Sequence, residues 1–250
     1  MMLRLPLAVA CFSLALASPA TTWAAPSDGG HNAHRHTVNS FWGVSLEEFE
    51  YRYSDSDDEV AVWDGDAFFG SDELKFRWIF SGEWEEAHDA FESLENQFVV
   101  QTPISDFFDA KAGVRIDTPE GPDRVYGVLG INGLAPYWFE VDSNLYVSDE
   151  GDASIDLDAE YELLLTNRLI LSASLDVLVA LSSDREIGLG KGLSSTETGL
   201  RLGYDLIDRS FSPYLGIVHE RKYGDTADIA RTSGGSKEDW FAVVGARLMF

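Results

Sequence analysis

The chain is poor in sulfur. Its single cysteine, Cys11, lies in an N-terminal apolar stretch, and Met1, Met2 and Met249 are its three methionines. A mature chain without that stretch has no thiol, no disulfide and no soft sulfur ligand except Met249, which excludes disulfide-stapled scaffolds and thiolate metal sites. Long apolar runs are also missing. After residue 24 none reaches the roughly 18 residues that a membrane helix needs. Basic side chains are few, with 18 Lys and Arg against 43 Asp and Glu. Such a balance argues against binding nucleic acid or an anionic lipid surface and favours cations as partners. Helical periodicity is nearly absent.

Residues 1–24 hold one charge, Arg4, followed by the apolar run 5–17 and small residues around Ala20 and Ala24. This is the pattern of a secretory signal peptide, cut after Ala20 or Ala24. Removing it leaves 17 basic against 43 acidic side chains, a formal charge of −26. Residues 25–41 read as a flexible, histidine-containing segment, and 42–250 as the folded body.

Alternation dominates that body. Counting back from the end, Phe250, Leu248, Ala246, Val244, Ala242 and Trp240 share one face, while Met249, Arg247, Gly245, Val243 and Phe241 share the other. An apolar face with an aromatic at each end is the pattern of a tilted membrane strand between two aromatic girdles. In 107–117, Phe108, Ala110, Ala112, Val114 and Ile116 alternate with Asp109, Lys111, Gly113, Arg115 and Asp117. In 154–163, Ile155, Leu157, Ala159, Tyr161 and Leu163 alternate with Ser154, Asp156, Asp158, Glu160 and Glu162. A soluble sandwich alternates as well, so the connections decide. Strands are expected near 42–53, 59–68, 72–84, 90–101, 107–117, 123–132, 137–147, 153–163, 168–181, 193–207, 212–223 and 239–250. The two long connections, 182–192 and 224–238, both fall on the side opposite the two chain ends. Short periplasmic turns and longer outer loops are the habit of bacterial barrels. The expected fold is therefore all-β: an antiparallel, up-and-down transmembrane β-barrel of about twelve strands, with ten the alternative because the first pair is the least regular.

Inside such a barrel the charges carry the chemistry. Asp156, Asp158, Glu160 and Glu162 form an acidic ladder, joined by Glu140 and Asp142 on the preceding strand, with Lys111, Arg115, Arg201 and Arg247 facing the same lumen. One reading is an ion-pair network that fills a narrow barrel. The other is a cation-attracting conduit or hard-metal site, because carboxylates without sulfur suit hard cations. His31, His34 and His36 precede the first strand beside Gly29 and Gly30, so three imidazoles can converge on Cu²⁺, Ni²⁺ or Zn²⁺. A solvated leader without a ligand role is the competing reading. His88 with Glu85 or Asp89 is the only rim constellation that a hydrolase could use, and no partner spacing supports it.

Several segments resemble the copper resistance protein B family of bacterial outer-membrane proteins over roughly residues 45–250. They include Asp109-Ala110-Lys111-Ala112-Gly113-Val114-Arg115, Gly133-Leu134-Ala135-Pro136-Tyr137-Trp138-Phe139-Glu140, Ala159-Glu160-Tyr161-Glu162-Leu163 and His219-Glu220-Arg221-Lys222-Tyr223-Gly224-Asp225. The resemblance implies a non-enzymatic outer-membrane barrel for copper tolerance that binds or exports copper ions. It also implies a nearby periplasmic copper oxidase or efflux component. Family members commonly carry a Met- and His-rich segment before the barrel. Here the corresponding stretch has His31, His34 and His36 and no methionine, and His219 stands where the family has Trp. Without thioethers, Cu²⁺ is favoured over Cu⁺. The alternative is a structural or passive barrel without metal specificity. With no apolar protomer interface evident, a monomer is expected.

Overall fold

A computed structural model describes residues 40–54, 59–85, 90–118 and 123–250. The leader, its two cleavage points, His31, His34, His36, His88 and Asp89 lie outside the described residues. Twelve strands form one closed sheet: β1 Phe41–Ser54, β2 Glu59–Gly70, β3 Lys75–Glu85, β4 Ala90–Pro103, β5 Phe108–Asp117, β6 Arg124–Ala135, β7 Phe139–Ser148, β8 Ala153–Leu164, β9 Leu169–Ala180, β10 Gly192–Tyr204, β11 Phe211–Lys222 and β12 Glu238–Met249. Each pairs antiparallel with its sequence neighbour, and β12 returns to pair with β1. At the seam the terminal residue takes part. The Phe250 amide donates to the Val44 carbonyl at 2.9 Å and the Val44 amide to the Phe250 carbonyl at 3.1 Å. Closure leaves no unpaired edge, the condition for a sheet to cross hydrocarbon.

Ten to fourteen residues per strand suffice to span a bilayer core at the tilt of a barrel. The turns at 71–74, 104–107, 136–138, 165–168 and 205–210 lie on the same rim as the start of β1 and the end of β12 and mark the periplasmic side. On the outer rim the connections at 181–191 and 223–237 are the longest between described strands.

The faces are those expected of an inside-out protein. Leu215, Leu129, Val244, Leu200, Ile155 and Leu157 are exposed on the outer wall, whereas Lys111, Arg52, Glu50 and Arg201 are buried inside. Trp42, Phe69, Phe76 and Phe250 ring one rim, and Phe91 and Trp240 stand near the other, as girdles should.

Three local details depart from simple alternation. In β1, Leu46 faces Gly65 and Glu48 faces Asp64, so Glu47 is the extra residue of a bulge. The bulge places both Glu47 and Glu48 against the luminal cavity while Phe49 returns to the outer face. It is also why the first strand pair reads poorly as a period-two pattern. At the periplasmic rim, β6 runs on to Ala135, and Tyr137 and Trp138, expected within a strand, form a single 3₁₀ turn with φ of 68° at both. Pro136 has no amide to give to the ladder, so pairing resumes only at Phe139.

The third detail is a helix, α1 Gly224–Ser233, in an outer connection where helical periodicity gave no sign of one. Asp225 lies in its first turn and Arg231 in its last, both favourable to the helix dipole. Gly234, at φ 88°, ends it by donating to the Ala230 and Arg231 carbonyls. Thr226 and Ala227 are its buried residues, and the Gly190 amide donates to the Thr226 hydroxyl at 2.9 Å. Two buried positions are too few for a periodic signal. Tertiary contact with the 181–191 connection supplies the rest.

On the lipid-facing wall, Leu215→Arg should lower stability by about 2–4 kcal/mol, the scale for a cation near the midplane of such barrels. Urea unfolding of protein refolded in phospholipid vesicles measures it.

Candidate functional site

The lumen is the site. Inward side chains from all twelve strands meet there, and most of their basic groups act as hubs for several carboxylates. Glu50, on β1, sits at the centre of one network. Its carboxylate accepts from Arg52 Nε at 2.7 Å, from Arg201 at 3.0 Å and from the Tyr214 hydroxyl at 3.0 Å. Arg52 also reaches Glu197 at 3.0 Å and Glu220 at 2.9 Å, and Arg201 reaches Glu48 at 2.7 Å. Strands β1, β10 and β11 are thereby tied across the interior.

The other cations are held in the same way. Lys111 is held by both oxygens of Asp142, at 2.6 and 2.7 Å. Arg77 pairs with Asp66 at 2.7 Å, and Asp66 also accepts from the Ser45 hydroxyl. Arg115 binds Glu95 and Asp117 and lies over the rings of Tyr146 and Tyr126, with its Cζ at 4.7 and 5.5 Å from the centroids. Arg247 grips Glu160 at 2.8 Å and Glu162 at 2.5 Å. At the outer mouth, Arg124 holds Asp184 at 3.1 Å, Glu186 at 2.8 Å and Glu150 at 3.2 Å. That grip straps the 181–191 connection across the mouth from β9 and β10 to β6.

These pairs divide the lumen into three chambers. A central cavity of about 340 Å³ lies between a periplasmic-side cavity of about 150 Å³ and an outer one of about 230 Å³ beneath the strap. Glu160 and Arg247 line both of the first two, and Glu95, Arg115 and Tyr146 line both of the last two. The partitions are therefore ion pairs and not backbone. Side chains of this kind can move where strands cannot.

Charge does not balance inside. Asp64, Asp156, Asp158 and Asp176 all line the central cavity, and none of their carboxylates has an ion-pair or hydrogen-bond partner among the described residues. The expected ladder is present in the register: Glu140 faces Glu160, Asp142 faces Asp158, and Asn144 faces Asp156. Its members separate in role. Glu160 and Glu162 serve Arg247, Asp142 serves Lys111, and Asp156 and Asp158 stand free. Glu140 borders the periplasmic-side cavity, whose lining also includes Met249. Lys111, Arg115, Arg201 and Arg247 all face inward, as their alternation requires. The lining of the central cavity contains no histidine, cysteine or methionine. Among the described residues no group of three or more His, Cys, Asp or Glu side chains is arranged to hold a metal ion. The donor set suits a hydrated or oxygen-ligated cation and offers nothing for Cu⁺.

Residues that sequence reading passed over include Glu48, Glu50, Arg52, Asp64, Asp176 and Glu197. Asp176 had a usable signal, as a lone charge in the apolar run Leu175-Asp176-Val177-Leu178. Glu48 had none, because the bulge reverses its parity. His219 lies at the outer rim, with Nε2 3.1 Å from Glu238 and its ring 4.3 Å from that of Trp240.

A family model described as copper resistance protein B precursor matches residues 40–250. The chain belongs to the copper resistance protein B family. Copper resistance protein B from Escherichia coli is 35% identical over 88% of this chain and 73% of that protein. A copper resistance protein B homolog from Pseudomonas syringae pv. tomato (strain ATCC BAA-871 / DC3000) is 32% identical over 90% of this chain and 74% of its own length. Among solved structures, the NanC porin aligns with a TM-score of 0.52 at 11% identity, covering 83% of this chain and 99% of that one, which supports the barrel fold alone. As a member of the copper resistance protein B family with this closed barrel, the chain is placed in the bacterial outer membrane.

Glu50 carries the heaviest electrostatic duty. Glu50→Ala leaves two buried guanidinium groups short of a partner and should cost about 3–5 kcal/mol. Glu160→Ala should cost less, because Arg247 retains Glu162. Denaturant midpoints of the two refolded variants test the order.

Proposed function

We propose that this barrel serves copper tolerance by binding or passing copper ions, with Cu²⁺ favoured over Cu⁺, and that it does so without catalysis. The observation that carries this reading is the unpaired acid of the central cavity, in a chain of the copper resistance protein B family. Four free carboxylates beside a low-dielectric wall concentrate cations and repel anions. The lining of the central cavity has no sulfur or imidazole ligand, so that cavity passes or loosely holds the ion. Tight capture falls to His31, His34 and His36, whose imidazoles suit Cu²⁺. A periplasmic copper oxidase or efflux component is the partner that such a barrel would work beside, and the barrel itself works as a monomer.

The competing reading is a passive barrel without metal specificity. Its support is the pair of ion-pair constrictions, Glu160 with Arg247 and Glu95 with Arg115, which stand between neighbouring cavities of the lumen.

Cu²⁺ titration of the detergent-refolded mature protein, beside the triple variant His31→Ala, His34→Ala, His36→Ala, separates the two. Tight binding that disappears in the triple variant supports capture by the histidine segment. Binding that survives moves the site to the luminal carboxylates. Binding no stronger than that of an unrelated barrel sinks the copper reading for this chain.

A further inference from the structure

The strand register reveals an order in the luminal acid that composition and cavities do not. Along the pairing direction, Asp142 on β7 faces Asp158 on β8, and Asp158 faces Asp176 on β9. Asp176 faces Glu197 on β10, Glu197 faces Glu220 on β11, and Glu220 faces Asp239 on β12. Six adjacent strands thus contribute directly opposed carboxylates, one after another. The row extends backwards through oxygen donors, since Asn132 faces Asp142 and Asp109 faces Asn132.

Because barrel strands are tilted, a row that follows the pairing direction also climbs. Asp142 is near the periplasmic start of β7, Asp158 is midway along β8, and Asp239 is at the outer start of β12. Asp142, Asp158, Asp176 and Glu197 line the central cavity on the way. The row leaves by β11 and β12, a different wall from the outer chamber that the Arg124 strap covers.

Directly opposed like charges destabilise a sheet, by some tenths of a kcal/mol to about 1 kcal/mol per pair. Lys75 pairs with Asp109 in the backward extension. Among the described residues, two cations touch the six opposed carboxylates: Lys111 at Asp142, and Arg52 at Glu197 and Glu220. Asp158 and Asp176, between them, are bare.

A second observation points to a positive occupant. Asn144, next to Asp142 on the same face and opposite Asp156, lines the central cavity at 9% exposure. Its Nδ2 donates to Asp142 at 2.8 Å, which leaves Oδ1 as its free acceptor, and that buried oxygen has no donor. Asn132 Oδ1, within the row, is likewise buried and without a donor. An acceptor-only oxygen among carboxylates calls for a cation or for water held in a cation's field.

We propose that this row is a cation track: an oxygen-lined path by which hydrated monovalent and divalent cations cross between the central cavity and the outer mouth along the β7–β12 wall. The track has no preference for copper. Metal identity is decided elsewhere, and the lumen selects on sign of charge. It shares the passable lumen of the copper reading and not its metal, so a failed copper titration leaves it standing, and the reverse also holds.

Planar-bilayer recording of the full mature protein tests it, with a KCl gradient and then CaCl₂, since Ca²⁺ seeks oxygen ligands alone. Wild type should pass current and reverse on the cation side in both salts. The double variant Asp158→Asn, Asp176→Asn should lower the cation-to-anion permeability ratio by roughly threefold or more. Glu73→Gln, in an exposed periplasmic turn, should leave that ratio unchanged. Heat-modifiable gel migration establishes that each variant is folded, and Asp176→Asn alone replaces the double variant if that one is not. Three results overturn the track: a folded wild type that never conducts, a current without cation preference (the orphan oxygens then hold water only), or a ratio unchanged in the folded aspartate variant.

Discussion

Backbone hydrogen bonding in a medium that offers no partners is the constraint on which the rest depends. Hydrocarbon satisfies no amide and no carbonyl, so a spanning sheet must close on itself. Here closure rests on the β1–β12 seam, where Val44 and the terminal Phe250 exchange bonds. Once the sheet is closed, each strand residue faces either lipid or lumen, and period two holds along every strand except where a bulge breaks it. The apolar half of the alternation goes outward and the charged half has no choice but to go in.

An interior filled in this way must manage its own electrostatics. Few basic groups serve many acids, so Arg52, Arg124, Arg201, Arg115 and Arg247 each bind two or more carboxylates. The planar guanidinium, with its several donors, suits that duty better than an ammonium group. The hubs do two jobs together: they cross-brace distant strands and they wall the lumen into chambers. What they leave over is acid, and it is not spread evenly. It collects on the central cavity and in a row that follows the strand register. The stability lost to opposed like charges is the physical mark that this row serves something other than folding.

Much of the barrel was legible in the chain because lipid reads sequence locally. In β5 and β8 each residue's medium follows from its parity alone, and Val114, Ile116, Ile155 and Leu157 face outward where alternation puts them. Legibility failed wherever one residue broke the count. Glu47 bulges, and the inward trio Glu48, Glu50 and Arg52 was hidden behind it. Helix α1 was hidden for another reason: only Thr226 and Ala227 are buried, too few for a periodic signal, and Gly190 anchors it from another connection. The acidic ladder was visible as a list of luminal carboxylates. Which of its members are neutralised was not, since Arg247 and Glu160 are 87 residues apart.

The sequence by itself determined the solvent of most faces: a leader-like start, ten to twelve alternating segments, long connections on one side, and a surplus of acid that had to point inward. Those are properties of single residues and their near neighbours, and water and lipid sort them without reference to the rest of the chain. Only the tertiary structure decided which charges cancel. Register between strands sets Asp142, Asp158 and Asp176 side by side, and the closed barrel brings Arg201 on β10 to Glu50 on β1, 151 residues away in the chain. Pairing over such separations depends on distances across the lumen, and no local pattern encodes a distance.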